Sequence, residues 1–324
     1  MLNYRQFYII LVISILYGVS LGDIMDNLDM KILNRLLNNC RESDRQIGIE
    51  LGISGGAVRA RIRKMQANKI IEDFFIKVEP PVLGYGILYF VVTGENISEI
   101  LEQASLVGEP YFVVPCVGGI TVCGISIKEN MNQKIELAKK LMKDVRVLSI
   151  FEAENPGFSS NLTKTDLEIL EELIKDPRQK IEQIAKNTKM STKTITRCIE
   201  KFHENDGIQF TLVYDPKKIE TFIPHAILTW IEGDLKETLE TLNDSFSESY
   251  LQIPFIAKNQ IVLFMYSDSI FKMDELTQKV RNVKNVKSAD LFIPKKISFY
   301  IKWIEKAISD FKKSPKLHLS YQTN

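Results

Sequence analysis

Signatures of metal, nucleotide and catalytic chemistry are missing from this chain. Its four cysteines, Cys40, Cys116, Cys123 and Cys198, form no CxxC pair, and its three histidines, His203, His225 and His318, lie far apart. Metal ligands need short, regular spacing, so no metal site is expected. The thiols read instead as reduced, mostly buried side chains of a reducing compartment. There is no GxxxxGK[ST], no GxGxxG after a strand, no HExxH and no Ser/His/Asp order, so no cofactor and no enzyme activity are expected. Gly118, Gly119 and Gly124 sit between two strands rather than before a helix, and a phosphate loop needs the helix. An excess of one charge is also lacking. The 42 Lys and Arg against 41 Asp and Glu leave a net charge of +1, so any case for nucleic acid rests on where the cations sit. Long apolar runs are scarce. Phe7 to Leu21 is nearly unbroken, yet shorter than the roughly 20 residues of a membrane-spanning helix. Residues 1–24 read as an anchor or signal, as a helix docked on the protein, or as a gene-start error ahead of Met25. The body that follows favours the last two, and a membrane partner is not expected.

What is present is a repeat. The segment from Leu28 (LDMKILNRLLNNCRESDRQIGIELGISGGAVRARIRKM) aligns without a gap with that from Thr165 (TDLEILEELIKDPRQKIEQIAKNTKMSTKTITRCIEKF). Asp29 meets Asp166, Ile32 meets Ile169, and Leu36 meets Leu173. Arg41 then meets Arg178, Ile47 meets Ile184, Ser54 meets Ser191, Ile62 meets Ile199, and Lys64 meets Lys201. In the first copy Ile32, Leu33, Leu36 and Leu37 form one apolar stripe of a helix, with Asp29 as the expected N-cap. A second helix follows near Asp44 to Leu51, then a tight turn at Gly52-Ile53. Ser54 caps a third helix that buries Val58, Ile62 and Met65. Ile70-Ile71 and Phe74 to Val78 are expected to pair as a wing, and Ile208 to Tyr214 as its counterpart. Each copy therefore predicts a winged helix-turn-helix.

Behind each copy comes an alternation of strands and helices in the order βαββαβ, the ferredoxin-like order. The fold class expected is α+β, two winged helix-turn-helix domains each followed by a βαββαβ domain. The predicted division is an apolar segment 1–24, a first helix-turn-helix 25–78 and a first βαββαβ unit 79–154. A Pro/Gly/Ser linker 155–161, a second helix-turn-helix 162–214 and a second βαββαβ unit 215–296 follow. A C-terminal helix (Phe299 to Phe311) and tail fill 297–324.

This order resembles the Lrp/AsnC family of leucine-responsive-type regulators, most closely in the first copy. There Leu28-Asp29, Ile32-Leu33 and Arg41 match the opening helix and its exit. Leu51-Gly52-Ile53-Ser54 matches the turn, and Val58 with Arg61 to Met65 matches the recognition helix. The second copy keeps Asp166, Arg178 and Ser191 but has Cys198 in place of Arg61. The resemblance implies a transcription regulator of the cytoplasm that binds double-stranded DNA. It also implies βαββαβ units that dimerise and can take an amino acid. Family members usually carry a glycine, and an aspartate three residues later, between the second and third strands of that unit. Here Gly118 and Gly119 are followed by Thr121, and the second copy reads Lys258-Asn259-Gln260. Neither turn offers a carboxylate to an ammonium group, so the effector stays unknown, with Gly118, Gly119 and Thr121 as weak candidates, and free amino acids are expected not to bind. Because one chain holds two units, they are expected to pair within it as a pseudo-dimer, leaving the outer faces and the last helix for assembly with another chain.

A recognition helix needs cations for phosphates and adaptable polar groups for base edges. The first copy offers Ser54, Arg59, Arg61, Arg63 and Lys64, with Gly55 and Gly56 expected to let backbone approach DNA. The second offers Ser191, Thr192, Lys193, Thr194, Thr196, Arg197 and Lys201. The first copy is expected to dominate, since Glu200, Glu204 and Asp206 dilute the second. Two alternatives stay open: a winged-helix protein-interaction scaffold, and a haem-pathway decarboxylase of the same architecture with His203 and His225 as its porphyrin contacts.

Overall fold

The computed structural model describes residues 25–313 apart from 95, 142–145, 154–157, 159–160, 221 and 258. The apolar segment 1–24 and most of the expected linker lie outside the described residues. Helix α1 (Asn27–Asn38) turns Met30, Ile32, Leu33, Leu36 and Leu37 inward, as its stripe dictates. Its N-cap is Asp26, not Asp29. Asp29 occupies the third helical position and bonds back to the Asp26 N–H, completing a capping box. Helix α2 (Asp44–Leu51) stops at Gly52, whose φ of 69° is the left-handed conformation a side chain resists. Helix α3 (Gly55–Ala67) starts on the Ser54 hydroxyl, which accepts from the Ala57 N–H at 3.1 Å. The second head repeats this with α6 (Lys164–Lys175), α7 (Ile181–Thr188) and α8 (Thr192–His203), the last capped by Ser191.

The wings differ from expectation. Each head contributes one strand, β1 (Ile71–Val78) or β6 (Ile208–Tyr214), and the two pair with each other antiparallel from Ile71↔Tyr214 to Val78↔Ile208. A hairpin needs a turn with glycine, asparagine or aspartate between two strands. The stretch Ile70 to Val78 is too short for that, so its ladder is completed by the other copy. One end of the ribbon (Ile71, Leu212, Tyr214) closes the core of the first head. The other end (Ile76, Val78, Ile208, Phe210) closes that of the second. The heads are further tied by the Cys40 N–H to the Phe210 carbonyl at 2.9 Å and the Gln209 amide to the Leu37 carbonyl at 3.0 Å.

Behind the ribbon stand two antiparallel sheets, each built on four strands of the βαββαβ order, the first joined by a fifth from the C-terminal segment. The first contains β2 (Gly86–Thr93), β3 (Glu109–Pro115), β4 (Ile120–Ile127) and β5 (Arg146–Glu152), with helices α4 (Ile97–Ser105) and α5 (Met131–Leu141). The second contains β7 (Ile223–Ile231), β8 (Tyr250–Ala257), β9 (Gln260–Ser267) and β10 (Val286–Phe292), with α9 (Leu235–Phe246) and α10 (Ile270–Arg281). The orders β3-β4-β2-β5 and β8-β9-β7-β10 are the same topology twice. Along β2, Leu88, Phe90 and Val92 face the helices, whereas Ile87 and Tyr89 face the opposite way. That opposite face meets the second sheet: Tyr89 lies edge-on to Phe255 with ring centroids 5.2 Å apart.

The C-terminal segment stitches the sheets together. After β10 the chain crosses to the first sheet, where β11 (Ser298–Phe299) pairs with β3. Helix α11 (Lys302–Lys313) then buries Trp303, Ile304, Ala307 and Ile308. The helix therefore begins three residues later than its sequence pattern implies. Its apolar face is not left for another chain, because it fills the core shared by Tyr85, Tyr111 and the second head.

Candidate nucleic-acid interface

The third helix of each head is presented by its neighbours rather than by its own apolar content. Gly48 lets α2 and α3 close together, since a Cβ there would lie 2.6 Å from the Ile53 carbonyl oxygen. Gly55 serves the same junction. A Cβ on it would lie 3.2 Å from the Arg45 Cα, so its lack of a side chain faces α2 rather than outward. A Cβ on Gly56 would meet only the Ser54 Oγ, at 3.8 Å, and its exposed backbone is accessible to a ligand.

The expected DNA-facing cations separate into two groups. Arg59 and Arg63 on α3 are exposed, as are Lys193 and Arg197 on α8, together with Thr192. Arg59 bonds to Asp44 at 2.8 Å, but its side chain is 62% exposed, and exposed pairs are weak enough to exchange for a phosphate. Lys64, Thr194 and Thr196 are half-buried, and the Thr196 hydroxyl donates to the Thr192 carbonyl. Ser54 and Ser191 spend their hydroxyls on caps.

Arg61 and Lys201 are engaged inside the heads. Arg61 donates to Asp29 at 2.7 Å and to Asp26 at 2.8 Å, tying α3 to the start of α1. The Asp29 bond foremost holds the guanidinium pKa above its usual value. In the second head Cys198 replaces that arginine, and Lys201, one turn on, donates to Asp166 at 2.7 Å and to the Asn161 carbonyl at 2.8 Å. Burial alone would raise the Asp166 pKa, but the Lys201 ammonium and the Thr163 donors outweigh it and hold it below the usual value. The tie between first and third helices is thus kept by a different cation. Nothing in a single copy announces it; the aligned aspartates, each facing a basic residue, were the available signal.

The effector candidates Gly118, Gly119 and Thr121 line neither the cavity walled by Tyr89 and Val262 nor the one beside Glu79 and Asn243. Gly118 and Gly119, with φ of 88° and 80°, form the β3–β4 turn. Thr121 is fully buried and donates to the Gly94 carbonyl at 2.7 Å. His203 and His225 do not line those two cavities either. His203 packs on Phe210 at 4.7 Å, and His225 is buried with Nδ1 against the Ile223 carbonyl. The four cysteines are buried and form no disulfide, and burial pushes the Cys123 thiol up to about 12.

Comparison with known proteins gives two domain matches, an AsnC-type helix-turn-helix domain over residues 25–66 and a winged helix-turn-helix DNA-binding domain over residues 162–208. The HTH-type transcriptional regulator Ptr1 of Methanocaldococcus jannaschii is 32% identical over 127 residues, 38% of this chain and 86% of that protein. The regulatory protein AsnC of Escherichia coli strain K12 is 35% identical over 68 residues, 21% of this chain and 45% of that protein. Among solved structures, the siroheme decarboxylase NirDL aligns with a TM-score of 0.45 at 13% identity, covering 88% of this chain and all of the other. Among the described residues, no helix is long and apolar enough to cross a membrane.

Proposed function

The chain belongs to the Lrp/AsnC family of transcription regulators, and from that premise we propose that it is a sequence-specific DNA-binding regulator carrying two unlike reading heads on one polypeptide. The observation that carries this reading is the pair of capped third helices that keep Arg59 and Arg63, and Lys193 and Arg197, on exposed faces. Arginine suits the edges of guanine and the phosphates alike. The two sheets meet within the chain, so it acts as a covalent pseudo-dimer. Each head then reads its own half-site, and the operator is less palindromic than that of a symmetric dimer. Such a protein works in the cytoplasm beside the DNA it reads, and no catalytic role is assigned to it.

The test is recovery of bound DNA from cells, followed by titration of the recovered site and a scrambled sequence between 50 and 200 mM salt. Phosphate-contacting cations give affinity that falls steeply with salt, and base reading gives preference for the recovered site. Salt-independent affinity, or equal affinity for the scrambled sequence, would turn the reading towards a protein-docking module.

A further inference from the structure

The space between the two sheets is not filled. A cavity of about 110 Å³ remains there, walled by Tyr89, Phe112 and Phe151 of one sheet and by Leu228, Phe255 and Val262 of the other. A void of this order holds a single six-membered ring. One wall depends on a glycine: a Cβ on Gly124 would lie 2.7 Å from the Phe112 ring, which packs directly over it. A second cavity of about 570 Å³ abuts it, with Lys77 and Phe255 as common walls, and the Lys77 ammonium stands 5.7 Å from the Phe255 ring centre.

Two polar atoms in this apolar wall have no partner: the Tyr89 hydroxyl, on a side chain fully buried, and the Gln260 amide oxygen. Lys77, Glu79 and Tyr111 beside them are already paired. Glu79 accepts from Lys77 at 2.6 Å and from the Tyr111 hydroxyl at 2.9 Å, which balances its charge. Burial, and then the nearby Glu79 charge, keep the Tyr89 hydroxyl protonated, so it is a standing donor. A buried hydroxyl without a partner is costly, and proteins seldom keep one without a use.

We propose that the inter-sheet cavity binds a small uncharged aromatic molecule of the phenol class, its ring against the Phe112, Leu228 and Val262 side chains and its oxygen accepting from the Tyr89 hydroxyl. An anionic head is disfavoured by the apolar walls, because the cation at the rim, Lys77, is already paired with Glu79. A ring without a head leaves Tyr89 unpaired. The site joins the two halves, so occupancy changes how the sheets meet and hence the setting of the two heads. It rests on the regulator reading only for that consequence and names the chemistry of its effector.

The experiment measures binding to the full chain without DNA, so that its failure is separate from failure of the regulator reading. Three probes share one frame: 4-methylphenol, toluene and 4-methylbenzoate. We expect 4-methylphenol to raise the melting temperature and to bind at least fivefold more tightly than toluene, with 4-methylbenzoate weakest. Tyr89→Phe removes a hydroxyl that has no partner, so the ligand-free protein keeps its melting temperature or gains, while the preference for 4-methylphenol over toluene disappears. Leu228→Phe fills the cavity and abolishes binding of both. Absence of 4-methylphenol binding to the natural chain, or binding that survives Leu228→Phe, overturns the proposal, as does a fivefold preference that persists in Tyr89→Phe.

Discussion

Arg59 and Arg61 lie two residues apart on one helix and have different work to do. Asp29 is almost fully buried and takes the Arg61 guanidinium at 2.7 Å. Replacing Arg61 with Ala strips a buried carboxylate of its cation and should cost about 1–3 kcal/mol of stability, read by urea unfolding. Loss of DNA affinity without loss of stability would instead place Arg61 on the DNA. Arg59→Ala and Arg63→Ala should leave stability within about 0.5 kcal/mol and lower the salt slope of DNA binding by roughly one each. Asp166 supplies a pH test. Its folded pKa is depressed by Lys201 and the Thr163 donors against the opposing effect of burial. A depressed carboxyl stabilises fully above its unfolded value, near 3.8, and that contribution is lost as pH falls through the lower folded value. The stability difference between the natural chain and Asp166→Asn should therefore be present at pH 6 and shrink towards pH 3. A difference that is unchanged across that range would remove the ion pair from the account.

At the scale of elements, the third helices depend on their caps. The Ser54 and Ser191 hydroxyls each satisfy an orphan N–H of the first turn. Ser54→Ala and Ser191→Ala should each cost about 1 kcal/mol, measurable by thermal melts, and any fall in DNA affinity has to exceed that loss before it is assigned to contact. The turn before α8 is built less comfortably than the one before α3. Lys189 adopts φ 58° where the first head has Gly52 at 69°. A side chain in the left-handed region is strained, so Lys189→Gly should raise stability by about 0.5–1 kcal/mol. A drop in melting temperature would show that the Lys189 side chain makes a contact worth more than the strain.

Over the whole molecule, the heads and sheets share cores. The β1–β6 ribbon belongs to both heads, and Trp303 from the last helix is buried beside Tyr85 and Tyr111 of the first half, with centroids 6.0 and 5.8 Å away. Leu33→Ala in the first head and Phe202→Ala in the second should therefore lower one common unfolding transition rather than split it. Trp303→Ala should cost about 3–5 kcal/mol although the residue lies far along the chain from the core it fills. Separate transitions in calorimetry would show that the halves fold independently. Effector chemistry is also decided at this scale. Thr121 is committed to the Gly94 carbonyl, so millimolar free amino acids should leave the melting temperature unchanged, and a reproducible shift with any of them would reopen the β3–β4 turn as a ligand site.

Local pattern determined the helices, their caps at Ser54 and Ser191, the doubled order of elements and the family, because periodic burial and capping are encoded within a few residues of one another. The exposed arginines of α3 were legible for the same reason: a third helix after a tight turn has one face with nothing to pack against. Asp29 was misplaced as the cap by a single turn, since Asp26 and Asp29 both carry the right oxygen and only the backbone chooses between them. Tertiary structure alone decided the rest. A strand's partner is set by which edge is free in space, so β1 found β6 more than a hundred residues away instead of folding back on itself. An amphipathic helix announces that it will be buried but not where, and α11 went to the first half's core. The roles of Arg61 and Lys201, and the unfilled space beside Tyr89, follow from distances between segments remote in the chain, and those distances exist only once the two halves have closed on each other.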